Sequence, residues 1–170
     1  KQQAPDGRWS LGRVGTRQQE IEIPTLRSDT AATGLALLSF LGAGYHHQND
    51  KYQDVVKQGL AFLLDVQKPD GDLYLAEDED SARNAWLYSH GIATIALCEA
   101  YGMTQDPTLR EPAQRAVNFI VQAQHPRRGG WRYAPGVSSD TSVSGWMVMA
   151  MRSAELANLD VPLSAWKLVE

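Results

Sequence analysis

The feature that most constrains how this chain can fold is a turn motif that occurs three times. Each copy begins with a Gln and continues through a short turn to a Gly, one further residue and then a Trp or Leu. The copies span residues 3–9, 67–73 and 124–131. They recur roughly every 60 residues, and a period of this length indicates stacked structural repeats.

The segments before the second and third motifs predict one kind of helix. Residues 56–67 align without a gap with residues 113–124. Both segments place apolar or small residues at positions i, i+3, i+4 and i+7 with polar residues between them, which is typical of a helix with a single buried stripe. We expect these helices to form an outer layer.

A second kind of segment follows the first and third motifs. Residues 29–35 align with residues 140–146, and each begins with an Asp, a Thr and small residues. Asp29 and Asp140 are predicted N-caps, because a carboxylate can accept the free N–H groups of a first helical turn. The residues that follow are apolar nearly all round, so we expect an inner layer of helices buried on more than one side.

The second copy of this helix start differs from the other two. Tyr88 stands where they have Asp, and the alignment places His90 in the position of Ala31 and Ser142. An acidic segment, residues 77–80, precedes this helix. A run of like charges of this kind is typical of a solvated loop.

The alternation of the two helix types predicts an all-α fold of about three helical hairpins in two layers. At 170 residues, the chain is expected to form a single domain over residues 1–170. A net charge of −4 offers no broad basic surface for nucleic acid. Its apolar stretches fall short of the roughly 18 residues that a membrane-spanning helix needs. The cellular location is left open.

An outer helix that ends in Gln and is followed by Gly-x-Trp resembles the QW repeat of squalene and oxidosqualene cyclases, which protein prenyltransferase β subunits share more loosely. The resemblance covers essentially the whole chain and implies part of an α/α-toroid, with concentric rings of inner and outer helices around an apolar cavity. It also implies residues that tie each outer helix to the next repeat, namely Gln3, Trp9, Gln67, Gln124 and Trp131.

The resemblance carries two further expectations. Leu73 replaces the Trp in the second repeat, so its tie should be weaker. Three hairpins would form only half of such a ring and would leave apolar edges exposed. We therefore expect either a longer parent chain or self-association of copies edge to edge.

The catalytic motifs of the family are incomplete here. Cyclases that this repeat resembles protonate an alkene with the middle Asp of Asp-x-Asp-Asp-Thr-Ala, but the matching stretch has Ser28 in the position of the proton donor. Prenyltransferases bind zinc through Asp-x-Cys, and the Cys is missing at both matching places, so neither a metal nor a cofactor is predicted. The remaining candidates for an acid are Asp29, Asp140, His90, Asp78 and Asp80.

The leading hypothesis is a module without a recognisable catalytic set that binds a lipid-like small molecule or a protein segment in a concave cavity. The residues expected to line this cavity are Trp146, Tyr88, His90 and Trp86. Two alternatives stay open: a terpene-cyclase-like enzyme that uses an acidic residue as proton donor on an isoprenoid substrate, and a structural repeat scaffold.

Overall fold

The computed structural model describes residues 3–11, 26–48 and 51–169. These residues contain helices and no strand, so the all-α prediction is confirmed for them. The helices are α1 (Asp29–Gly42), α2 (Gln53–Val66), α3 (Glu79–Asn84), α4 (Trp86–Thr104), α5 (Pro107–Ala123), α6 (Thr141–Leu156) and α7 (Leu163–Val169).

Six of the helices follow one another as three hairpins, α1 with α2, α4 with α5 and α6 with α7. The first members of the hairpins lie side by side, with α4 between α1 and α6. The second members cover them, because α2 packs on α1 and α5 packs on α4 and α6. We call α1, α4 and α6 the first layer and α2, α5 and α7 the second layer.

The second-layer helices bury one stripe, as their sequence pattern predicts. The matched stripe positions are all buried in both complete helices: Val56, Gly59, Leu60 and Leu63 in α2, and Ala113, Ala116, Val117 and Ile120 in α5. Burial of these side chains accounts for the attachment of the second layer, at about 25 cal/mol for each Å² of apolar surface removed from water.

The first-layer helices differ in how much of their surface is buried, because α4 lies in the centre of the layer and α6 at its edge. Residues 89–98 of the central helix α4 are all buried, as expected for a helix covered on several sides. The buried residues of α6 are Val143, Met147, Ala150, Met151 and Ala154. Gly145 and Met149 of the same helix remain exposed. One side of α6 is therefore not covered by residues 3–11, 26–48 or 51–169.

The two predicted N-caps have different outcomes. Asp140 caps α6, since its carboxylate accepts the N–H groups of Ser142 and Val143. The prediction for Asp29 is wrong, because the Ser28 side chain caps α1 by accepting the Ala31 N–H at 3.0 Å. Asp29 is the first residue of the helix and is buried.

The predicted alignment of α4 with the other two first-layer helices is also wrong, and α4 must be shifted by two residues. Thr33 and Ser144 accept the backbone N–H of Trp9 and Trp131, each at 2.9 Å. In the second repeat His90 makes the corresponding contact, accepting the Leu73 N–H at Nδ1 (3.1 Å). His90 therefore corresponds to Thr33 and Ser144 rather than to Ala31 and Ser142.

The corrected register extends to the neighbouring positions. Gly91 matches Gly34 and Gly145, and the Asp of the other helix starts corresponds to Trp86 rather than Tyr88. The acidic segment is not a simple loop either. Asp78 accepts the Ser81 N–H and thereby begins the short helix α3.

Among the described residues, no helix combines the length and the apolar character that crossing a bilayer requires.

Candidate ligand-binding cleft

The three Gln side chains make the same pair of hydrogen bonds. Each side-chain amide donates to the carbonyl of the Gly in its own turn and to a carbonyl in the next second-layer helix. Gln3 donates to the Gly7 oxygen at 2.8 Å and to the Val55 oxygen at 2.9 Å. Gln67 donates to the Gly71 oxygen at 3.3 Å and to the Pro112 oxygen at 2.9 Å. Gln124 donates to the Gly129 oxygen at 2.6 Å and to the Ala165 oxygen at 3.0 Å. Each turn is thus joined to the first half of the following second-layer helix.

The Gly of each motif allows this close approach. Gly71 has a φ of +96°, and a Cβ on it would lie 2.2 Å from the Arg115 carbonyl oxygen of α5. Gly7 has the same relation to the Gln58 carbonyl, at 2.1 Å. A side chain would therefore force the turn away from the helix on which it rests.

His90 fills the space that the missing Trp leaves in the second repeat. Its ring is fully buried, packs on Phe119 with ring centroids 4.6 Å apart, and places Nε2 3.0 Å from the Ala116 carbonyl oxygen. The other repeats pair a large Trp with a small Thr or Ser, whereas this one pairs Leu73 with a larger His. The His90 ring is thus held by structural contacts on both nitrogens.

Asp29 is bound to its surroundings in a similar way. Arg8 Nε lies 3.3 Å from its Oδ2 atom, and the Asp29 N–H donates to the Glu77 carboxylate. Burial raises the pKa of Glu77, and the nearby carboxylates of Asp29 and Asp78 add to this. These contacts link the first turn, α1 and the segment that leads to α3.

Asp72 is a buried carboxylate that the sequence reading did not identify. It accepts hydrogen bonds from Lys68 Nζ (2.6 Å), Trp86 Nε1 (3.0 Å) and the Tyr74 N–H (3.0 Å). Burial by itself raises the pKa of Asp72, but the neighbouring His90 ring, whose Nδ1 lies 3.4 Å from Oδ1, and hydrogen bonds from Lys68 and the Tyr74 amide outweigh it and lower the pKa to about 2. Asp72 is therefore an ionised anchor for the turn.

A covarying pair within the repeats was the available signal for Asp72. One member of the pair lies between the motif Gly and the following Trp or Leu, and the other lies at the start of the following first-layer helix. The pairs in the three repeats are Arg8 with Asp29, Asp72 with Trp86, and Gly130 with Asp140. Arg8 pairs with Asp29 in the first repeat, and Asp72 pairs with Trp86 in the second. The replacement of an Arg–Asp pair by an Asp–Trp pair is visible only when Trp86, rather than Tyr88, is aligned with Asp29 and Asp140.

The other acidic candidates lie at helix starts. Hydrogen bonds from Ser81 lower the pKa of Asp78, and hydrogen bonds from Ser142 and the Val143 amide lower the pKa of Asp140. Both carboxylates are used as helix caps. Asp80 is exposed in the first turn of α3.

A cleft of about 530 Å³ lies where these helix starts meet. Its described lining comprises Leu26, Asp80, Asn84, Tyr88 and Tyr133. The two Tyr rings lie 6.1 Å apart at an angle of 31°. The cleft therefore combines aromatic faces with a carboxylate, an amide and phenol groups.

A hydrogen-bonded chain borders the cleft. The Tyr88 hydroxyl is hydrogen-bonded to the Ser142 hydroxyl, which donates to Asp140 Oδ1 at 2.6 Å. This chain fixes the Tyr88 ring between α4 and α6.

The four residues expected to line a common cavity are not all brought together. Tyr88 borders the cleft, whereas His90 has no exposed surface. Trp86 is half-buried over Tyr74 and Asp72, with the Lys68 ammonium 5.6 Å from its ring. Trp146 packs beside Gly91 between α4 and α6. Leu26, Asn84 and Tyr133 lacked a sequence signal because they lie outside the repeated positions.

A second, smaller cavity of about 180 Å³ lies at the other end of the hairpins, between α2 and the start of α5. His47 and Asp106 line it, with Nε2 and Oδ2 2.9 Å apart. Hydrogen bonds from Thr108 and then from His47 lower the pKa of Asp106 to about 2. This pair fastens the α1–α2 turn to the N-terminus of α5.

Within residues 3–11, 26–48 and 51–169, no group of three or more His, Cys, Asp or Glu side chains is arranged to hold a metal ion. No family model, curated protein or solved structure matches the chain.

Proposed function

We propose that this chain is a squalene-cyclase/prenyltransferase-like repeat module, part of an α/α-toroid, that binds a lipid-like small molecule or a protein segment in the cleft beside Tyr88 and Tyr133. The observation that carries the proposal is the cleft itself. Its volume of about 530 Å³ falls within the range of about 300–1,000 Å³ that is typical of ligand pockets.

The lining of the cleft suits an amphiphilic ligand. Leu26 and the two Tyr rings offer apolar surface, while Asp80 and Asn84 offer polar atoms at one side. Because hydrogen bonds hold the Tyr88 ring in place, little side-chain entropy is lost when a ligand packs against it.

The acidic candidates favour binding over proton-transfer chemistry. A general acid must hold its proton at the working pH, but the pKa values of Asp78 and Asp140 are lowered by their capping hydrogen bonds. Asp29 is paired with Arg8. These three carboxylates serve the architecture and leave Asp80, which is exposed at the cleft, as the remaining acidic candidate. The terpene-cyclase-like alternative therefore has less support than binding.

A structural scaffold is the second candidate. It is favoured by how completely side chains fill the space between the layers, where Trp131, His90, Met147 and Leu97 have no exposed surface. A scaffold of this kind would hold other protein segments in place without binding a small ligand.

The test is ligand binding measured by thermal shift and intrinsic tryptophan fluorescence. Farnesol, an isoprenoid alcohol, and the apolar dye anilinonaphthalene sulfonate are the probes. We expect farnesol to raise the melting temperature by several degrees at saturation, because a ligand that binds only the folded state stabilises it. Tyr133→Ala should weaken binding at least tenfold.

Tyr45→Ala is the matched control, because Tyr45 packs on Tyr52 at the α1–α2 turn and takes no part in the cleft. It should bind both probes as the wild type does. Absence of binding by the wild type, or equal binding by Tyr133→Ala, would reject binding of a lipid-like small molecule in the cleft and favour the scaffold. Conversion of an isoprenoid substrate would favour the cyclase-like alternative.

A further inference from the structure

The three first-layer helices share one contact geometry. A Cβ on Gly34 of α1 would lie 2.9 Å from Ile92 and 3.1 Å from Ala93 of α4. A Cβ on Gly91 of α4 would lie 3.2 Å from Met147 and 3.4 Å from Trp146 of α6. In both interfaces, the Gly of one repeat meets the two residues that follow the corresponding Gly of the next repeat.

The third Gly of the series lacks this partner. Among the described residues, nothing lies within 4 Å of a Cβ on Gly145, although Gly34 and Gly91 are both in close contact. The same stripe of α6 continues with Met149, Arg152 and Leu156. Met149 is 47% exposed and Leu156 83% exposed, whereas Ile95, which corresponds to Met149 in α4, is 7% exposed.

The opposite side of the first layer is also exposed within the part of the chain that the structure describes. Leu35 and Ala36 of α1 correspond to Ile92 and Ala93 of α4, the residues that receive Gly34. Leu35 is 42% exposed, whereas Ile92 is 6% exposed. The chain thus presents one half of the repeated interface on α6 and the other half on α1.

From these two half-interfaces we infer that the α6 edge of one copy binds the α1 edge of a second copy, with Gly145 against Leu35 and Ala36. The occupant is a second copy because the interface continues the α1–α4 and α4–α6 contacts with the same residue positions. Head-to-tail contacts of this type are heterologous and generate a closed ring or an open assembly.

The one-residue offset between neighbouring first-layer helices continues toward their C-termini. Gly102 of α4 contacts Ala157, so the offset holds along the helices. The same offset places Gly42 and Ala43, where α1 of the second copy ends, beside Arg152. The Arg152 guanidinium is held within its own chain by Glu155 at 2.7 Å and by the Trp166 ring at 4.0 Å, and the two small residues leave room for it.

Sedimentation velocity from micromolar to submillimolar protein tests the inference. The wild type should show species that are multiples of the 18.8 kDa chain. Gly145→Trp should weaken association at least tenfold, because the close approach leaves no space for a side chain. Gln122→Trp, on the exposed face of α5, is the matched control and should associate as the wild type does.

Disulfide trapping gives a second measurement. Under mild oxidation, the double variant Gly145→Cys with Leu35→Cys should form covalent dimers, whereas Gln122→Cys with Leu35→Cys should not; Cys98 is buried in both. A wild type that stays monomeric and a double variant that forms no cross-link would overturn the inference. So would unchanged association of Gly145→Trp.

Discussion

Asp72 shows how one carboxylate can hold a turn in place. It lies inside the turn of the second repeat, where Lys68, Trp86 and the Tyr74 amide donate to it. Its side chain is 1% exposed. A buried charge is tolerated only when its hydrogen bonds are satisfied, and here several donors satisfy it.

The pKa of Asp72 predicts an acid-dependent loss of stability. The folded-state pKa of about 2 lies below the ordinary value of 3.8. The ionised form therefore stabilises the fold above about pH 4, and this contribution is lost as the pH falls toward 2. We expect Asp72→Asn to reduce the free energy of unfolding by roughly 2 kcal/mol at pH 7. The difference from wild type should shrink toward pH 2.

Urea denaturation at a series of pH values measures this difference. Asp65→Asn, on the exposed face of α2, is the control and should leave the free energy of unfolding nearly unchanged. A constant difference between wild type and Asp72→Asn from pH 7 to pH 2 would show that ionisation of Asp72 does not contribute.

Among the elements, the turns do as much as the helices to define the architecture. Each Gln amide satisfies two carbonyl groups at once, one in its own turn and one in the next hairpin, as Gln124 does for Gly129 and Ala165. A hydrogen bond of this kind contributes about 0.5–1.5 kcal/mol to stability. The turns therefore set the distance between successive hairpins.

The close approach at Gly71 can be separated from its backbone conformation. Gly71 and Gly136 both have positive φ, but only Gly71 lies against a carbonyl of the next helix. Substitution by Ala should strain both positions through the backbone. Gly71→Ala should cost about 2 kcal/mol more than Gly136→Ala, because overpacking is added.

Thermal denaturation of the two Ala variants provides the comparison. Equal losses of stability would mean that the turn does not need the close contact with Arg115.

Much of the element level was predictable from the sequence. The buried stripes of α2 and α5 follow directly from residue spacing, and so does the Asp140 cap. The misaligned start of α4 and the unpredicted helix α3 have one cause. In the second repeat, Trp86 stands where the other repeats have Asp, and Leu73 stands where they have Trp. Asp72 compensates for the first change by accepting from Trp86, and His90 compensates for the second by accepting from the Leu73 N–H. Such compensation depends on contacts across repeats, which local patterns do not report.

At the scale of the whole molecule, α4 is the centre of the structure. It contacts α1, α5 and α6, and Ala93, Ala96 and Leu97 have no exposed surface. The second-layer helix α7 lies at the edge and has Ala165 as its buried residue. The sequence predicted Tyr88 as a lining residue and Asp80 as a candidate acid, but Leu26, Asn84 and Tyr133 of the cleft lie outside the repeated positions and were not predicted.

Native-state hydrogen exchange tests this two-layer arrangement most directly, since amides in the most deeply packed element open only with global unfolding. The account predicts the slowest exchange at Ala93, Ala96 and Leu97 of α4 and the fastest helical exchange in α7, whether or not copies associate through α6. Exchange in α4 as fast as in α7 would contradict the central position of α4 and with it the layered fold.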